Sequence, residues 1–405
     1  MNKNMTPVAR PYHAWLLLLC GCMSVLASVV IAPVLPQMQE YFSDQPNVGF
    51  MVPMALTAPG LVIALLSMAI GVLADKAGRK RLLVIGLILY AVFGVAPVMI
   101  DSLPTIIATR IGVGFAEAIL MTCSVALIGD YFEGVRRERY LALNTTFSSV
   151  SAVLFIAIGG ALGEFGWRVP FFVYGISIFL AVAALFMLWE PKHHEDEAAA
   201  VDVSDEEKAK WNPWKITGIC VVTFVGSILF MSIQVHIGYL LGGVGLSSPS
   251  QIGLVASSGQ MAVVLGSLFF GYLLGKAGFV TSIRLAMAFT LIAVGYLLVG
   301  FSGVNANLMV SGVLCAGFGG GLLLPTLMVW NMSNLPKYRR ALGTGAWMAG
   351  FFLGQFFTPI VVVGLQSVLG THADAIGMMG QVLLPIGIVL MIGSKLHKSA
   401  RLSAA

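Results

Sequence analysis

Of the 405 residues, 58% are apolar and only 10% are charged, against about 45–50% and about 25% in a typical soluble protein. A soluble fold of this composition would expose large apolar patches, a disordered chain would be far more polar, and the 46 Gly residues lack the short period of a fibre. A polytopic membrane protein is what remains, and the placement of its net charge of +5 identifies that charge as an orientation signal, with no nucleic-acid partner implied.

The apolar runs, such as 82–100 and 171–188, are long and do not alternate. That excludes an outer-membrane barrel and requires helices, because lipid offers no partner to a bare peptide group. Turn signals and charges predict twelve spans, at 14–36, 48–74, 82–100, 104–129, 141–164, 169–190, 214–242, 250–275, 281–302, 306–333, 341–369 and 374–396. The first is longer than a signal-peptide core and is read as retained.

Lys and Arg then fall into a pattern. Of 23, 21 lie at the termini and the even-numbered connections; Arg168 is on the other side and Arg110 is within a span. The positive-inside rule places both termini in the cytoplasm of an inner-membrane protein. The polar stretch 191–213, with His193 and His194, reads as a solvated cytoplasmic linker between an N-terminal bundle, 1–190, and a C-terminal bundle, 214–405. Cys20, Cys22, Cys123, Cys220 and Cys315 all sit in apolar runs, so neither a disulfide nor a metal or cofactor site is expected.

The segment Gly71-Val-Leu-Ala-Asp-Lys-Ala-Gly78 recurs 200 residues on as Gly271-Tyr-Leu-Leu-Gly-Lys-Ala-Gly278, and the same offset aligns Arg139 with Arg339. Two parallel halves make a pseudo-two-fold transporter with its site at their interface. The first copy, continued by Arg79-Lys80-Arg81, resembles the signature loop of the major facilitator superfamily (Gly-x-Leu-x-Asp-Arg-x-Gly-Arg-Lys/Arg), with Lys76 in place of the usual Arg. Arg110-Ile-Gly-Val-Gly114 resembles the family's second motif. Gly159-Gly160 and Gly166-Trp167-Arg168 resemble the fifth-to-sixth region of its drug/proton antiporter branch, although Ser151, Phe155 and Ile156 replace that branch's first Gly, second Gly and Pro.

The resemblance implies an all-α membrane protein, twelve transmembrane helices in two pseudo-symmetric six-helix bundles, acting as a monomer. It also implies that Asp75 engages the start of span eleven, around 341–345. The gating set is then Gly71, Asp75, Gly78 and Arg79, with Arg136 or Arg139 completing the cluster.

Two charges remain inside the membrane. Arg110 and Glu117 are about 10 Å apart along one face of span four, with Glu117 near mid-membrane. A charge there is costly and marks function by default, so the pair is read as the proton-coupling site, with a permanent Glu–Arg pair as the alternative. Gln234, His236, Gln260, Asn331 and Gln355 are candidates for a substrate cavity, although polar residues also join spans to one another. No clustered nucleophile, base or metal set at a common depth points to an enzyme. The reading is alternating-access transport of a small organic solute, proton-coupled export first and uptake by symport or facilitation second.

Overall fold

The computed structural model describes residues 9–191, 212–271, 280–336 and 339–403. Lys3, the linker histidines His193 and His194, and the second copy of the repeated loop beyond Gly271 lie outside them. Among the described residues there are twelve helices able to cross a membrane, and no strand. They are Pro11–Tyr41, Val48–Ala77, Arg79–Met99, Leu103–Tyr131, Gly134–Gly163, Val169–Met187, Pro213–Gly243, Pro249–Phe269, Thr281–Gly300, Ala306–Ser333, Leu342–Leu369 and His372–Ile392, here spans one to twelve. Each overlaps its predicted counterpart. The largest difference is span five, whose helix begins at Gly134, so that Arg136 and Arg139 stand on helix. Hydropathy marks only the lipid-buried part of a helix, and Arg and Glu extend it well beyond that.

Local chemistry shapes the ends and bends. In span one, Pro33 and Pro36 withhold amides, and the helix narrows to a 3-10 turn over Ala32–Val34 between the α-helices Pro11–Val29 and Leu35–Tyr41. Between spans two and three the chain reverses at Gly78, with φ 95° in the region that favours glycine. The Glu190 carboxylate then caps the first turn of span three, accepting from the backbone amides of Lys80 and Arg81 at 3.2 Å each.

The two halves repeat one packing scheme. In the first half the main contacts are one with five, two with four, three with four and three with six; in the second they are seven with eleven, eight with ten, nine with ten and nine with twelve. A matched pair of tyrosines ties this scheme together. Tyr90 of span three donates to the Met23 carbonyl of span one, and Tyr296 of span nine donates to the Leu229 carbonyl of span seven. Each is buried, where an unpaired hydroxyl would be costly. The outer surface is apolar; Phe179 and Phe186 of span six, for example, are 76% and 80% exposed. Such a surface belongs in lipid.

The halves meet along spans two and eleven and along spans five and eight. Successive connections alternate between a basic face, which carries Arg79 to Arg81 and Arg136 to Arg139, and an opposite face, which carries the connections at 42–47, 164–168, 244–248 and 301–305. All buried residues of span five lie from Ser151 to Gly163, on the side toward the opposite face. The structure is therefore closed there and open along span five toward the basic face.

Candidate substrate cavity and coupling site

Between the halves lies a cavity of about 300 Å³, the lower end of the usual range for ligand sites. Helical periodicity builds its walls. Span one contributes Gly21, Ser24, Val25 and Ser28, span four contributes Glu117, Met121, Ser124 and Val125, and span five contributes Asn144, Ser148 and Ala152, all on i, i+3, i+4, i+7 stripes. The second half supplies aromatic and amide groups: Phe230 and Gln234, Gln260, and Phe351, Phe352 and Gln355. A smaller void of about 40 Å³ continues past Gln234 and Gln260 to Tyr296.

Glu117 is the sole charged side chain on the walls of either space among the described residues. It is 1% exposed, and its Oε2 has no hydrogen-bond partner in the protein. Asn144 likewise turns an unpartnered Oδ1 toward Gly21. The wall thus presents free acceptors and no cation.

Arg110 does not pair with Glu117. Its Nη2 donates to the carbonyls of Phe93 and Gly94 at 2.9 and 3.1 Å, and its guanidinium lies 5.1 and 4.9 Å from the ring centroids of Phe171 and Tyr174. The reason is local. Pro97 has no amide to return to Phe93, and span three tightens into a 3-10 turn over Ala96–Met99, which frees carbonyls that Arg110 then satisfies. Sequence spacing along span four could not show that span three ends beside it.

Three of the five predicted cavity residues come together: Gln234, Gln260 and Gln355 line the cavity, and Gln355 Nε2 donates across the halves to Ser28 Oγ at 3.5 Å. The other two line neither space. Asn331 donates to the Gly343 carbonyl at 3.1 Å, joining spans ten and eleven. His236, two residues beyond Gln234 and so turned roughly 200° around the helix, contacts the Ser232 carbonyl through Nδ1 at 3.0 Å, with the His372 ring 5.2 Å away. The small and polar positions of spans four and five, Ser124 and Ser148 among them, carry a helical signal that sequence reasoning passed over.

At the gating loop, Arg79 bridges two acids, Asp75 at 2.7 Å and Asp130 at 2.5 Å. Asp130, at the end of span four, was not foreseen; an acid just before the Arg136 cluster was the available signal. Both ion pairs lie within the first half; the side chains of Arg340 and Ala341, at the start of span eleven toward which the resemblance points Asp75, lie outside the described ones. Arg136 and Arg139 line a separate surface pocket with Phe132 and Tyr140, because helical span five carries them outward. Gly71 has open space beside it.

The opposite face is sealed by small residues. Gly160 and Gly253 cross so closely that a Cβ on Gly253 would stand 2.8 Å from the Gly160 Cα. On the same face a Cβ on Gly238 would stand 2.7 Å from Pro36 Cγ. The retained Gly of the span-five motif therefore permits backbone contact between the halves.

The chain matches the family model described as Major Facilitator Superfamily over residues 17–359. It is 23% identical over 397 residues, 98% of this chain and 96% of the relative, to the multidrug efflux protein YfmO of Bacillus subtilis (strain 168). Among solved structures it resembles a bacterial homologue of the human lysosomal transporter Spinster, captured inward-facing and occupied, with TM-score 0.73, 15% identity and 95% and 96% of the two chains covered. It also resembles a POT family transporter in complex with 5-aminolevulinic acid, with TM-score 0.72, 13% identity and 95% and 96% coverage. A mutant of the nucleoside transporter NupG gives TM-score 0.72, 13% identity and 94% and 99% coverage. At such identities the structures speak to the fold alone, and the fold, the repeated packing of the halves and the family match agree: the chain belongs to the major facilitator superfamily and is an integral membrane transporter.

Proposed function

We propose that this transporter exports a small amphipathic organic solute across the inner membrane in exchange for protons. It works as a monomer whose halves, 1–190 and 214–405, rock about a cytoplasmic linker with both termini inside. The carrying observation is Glu117, buried on the wall of the central cavity with a free carboxylate oxygen. A group that must be neutral in one step and charged in another serves as a proton carrier there. Gln234, Gln260 and Gln355 supply polar contacts and Phe230, Phe351 and Phe352 supply apolar ones, so the wall suits a neutral or cationic aromatic solute that donates hydrogen bonds. Arg110 supports the site by holding span three against span four. The relative's name, a multidrug efflux protein, agrees with export, whereas Ser151, Phe155 and Ile156 in the span-five motif favour uptake as the second reading.

The test is flux in proteoliposomes, with solutes first identified by thermal shift. An inward proton gradient should accelerate solute efflux, and Glu117→Gln should keep exchange while abolishing accumulation driven by pH. Co-entry of solute with protons would establish uptake. Accumulation undiminished in Glu117→Gln would remove Glu117 from the role.

A further inference from the structure

Span five ends at Gly163, and the next residue reaches into the other half. Glu164 Oε1 accepts a hydrogen bond from the backbone amide of Ser250 at 2.9 Å. Ser250 lies in the first turn of the span-eight helix, which begins at Pro249, and its amide is one of those that an α-helix leaves without an internal acceptor. The Ser248 Oγ of the same terminus takes a second such amide, that of Gln251, at 3.3 Å. The carboxylate therefore meets an unpaired N–H and the positive end of the helix dipole together.

Among the described residues, no other charged side chain is hydrogen-bonded to Glu164 or to the Ser250 amide. The helix Pro249–Phe269 contains no acidic or basic residue, and the 3-10 turn Ala32–Val34 contains none. Arg168, the nearest cation along the chain, turns to Asp101 and Tyr41. Deeper in the interface the same two spans touch through Gly160 and Gly253, a contact of backbone surfaces without a directional bond.

We propose that Glu164 is the latch of the opposite face: it joins the halves only while spans five and eight are in contact, and must release Ser250 each time that face opens. The latch rests on alternating access but not on which solute is carried or whether protons drive it. Its logic is positional. The contact lies at the rim of the seal, farthest from the central cavity, where a given opening angle separates the spans most, so the bond is broken early in opening and re-formed last in closing.

The test reads distance, not transport. Spin labels are placed at Met99→Cys, the last residue of span three, and Val304→Cys, in the connection after span nine, both exposed on the opposite face and one in each half, in a chain whose five native cysteines are replaced. A second pair at Val304→Cys and Val368→Cys lies within one half and reports its integrity. In lipid nanodiscs at neutral pH, Glu164→Ala should raise the open-to-closed ratio of the first pair about two- to five-fold, the effect of losing a charge from a helix N-terminus. The second pair should stay unchanged. A parental distribution in Glu164→Ala overturns the latch, and so does a change in the second pair, which would make Glu164 a support for the internal packing of the C-terminal half. A protein that carries no solute in any flux assay would count against the transport reading and leave these distances as they are.

Discussion

Arg110 is wholly buried, and its environment separates two roles that charge alone had merged. Its two hydrogen bonds go to carbonyls that Pro97 and the 3-10 turn leave free. Hydrogen bonds to charged groups contribute about 1.5–3 kcal/mol each, so Arg110→Ala should cost about 3 kcal/mol or more, read as a lower unfolding midpoint in detergent. Arg110→Lys should recover only part, because a point charge on a flexible stem does not reproduce the planar fork. Glu117→Gln, isosteric and without a hydrogen bond to lose at Oε2, should stay within about 1 kcal/mol of the parent. An Arg110→Ala protein of parental stability would show that the two carbonyls find other partners. The identity of these residues, and their being costly in lipid, was legible in the sequence. Their separation was not, since it depends on where span three ends against span four.

At the scale of elements, the crossing of spans five and eight carries two predictions. Gly253→Ala adds a methyl group 2.8 Å from the Gly160 Cα and 3.1 Å from the Ile156 carbonyl oxygen, where backbone cannot yield. It should shift the Met99 and Val304 labels toward the open distance by a larger factor than Glu164→Ala does, and unchanged distances would mean that the spans can slide past one another. The second concerns acid. Hydrogen bonds from the side chain and backbone of Ser250 hold the Glu164 carboxyl below the ordinary carboxylate range. A carboxylate depressed in the closed form adds to closure above its ordinary value, about 4, and that contribution is lost as pH falls through the lowered value. Closure should therefore be level between about pH 8 and 5 and weaken only below about 4, with the acid limb absent in Glu164→Gln. The helices themselves were readable from apolar length and turn residues. Span five was misplaced at its start, because its first turns are charged and outside lipid, where hydropathy has nothing to report.

For the whole molecule, the charge count predicts one orientation. Ser247→Cys, exposed on the opposite face, should react with an impermeant thiol reagent added outside intact cells. Ser204→Cys, within the linker sequence, should react only after the cells are opened. The reverse pattern would invert the topology and with it the direction of proposed transport. The number of spans, the helical class and the basic face were determined by sequence alone, because each follows from a one-dimensional quantity: apolar length against bilayer thickness, and the side on which Lys and Arg fall. The halving was also legible, through the loop at 71–78 and its repeat. What only the tertiary structure decided is which polar groups share a space. His236 and Gln234 are two residues apart yet face different surroundings, Asn331 spends its amide on a neighbouring span, and Glu164 caps a helix that begins 85 residues later. Such pairings depend on helix rotation and on contact between the two halves, and both are set by close packing of small residues whose composition does not specify a partner.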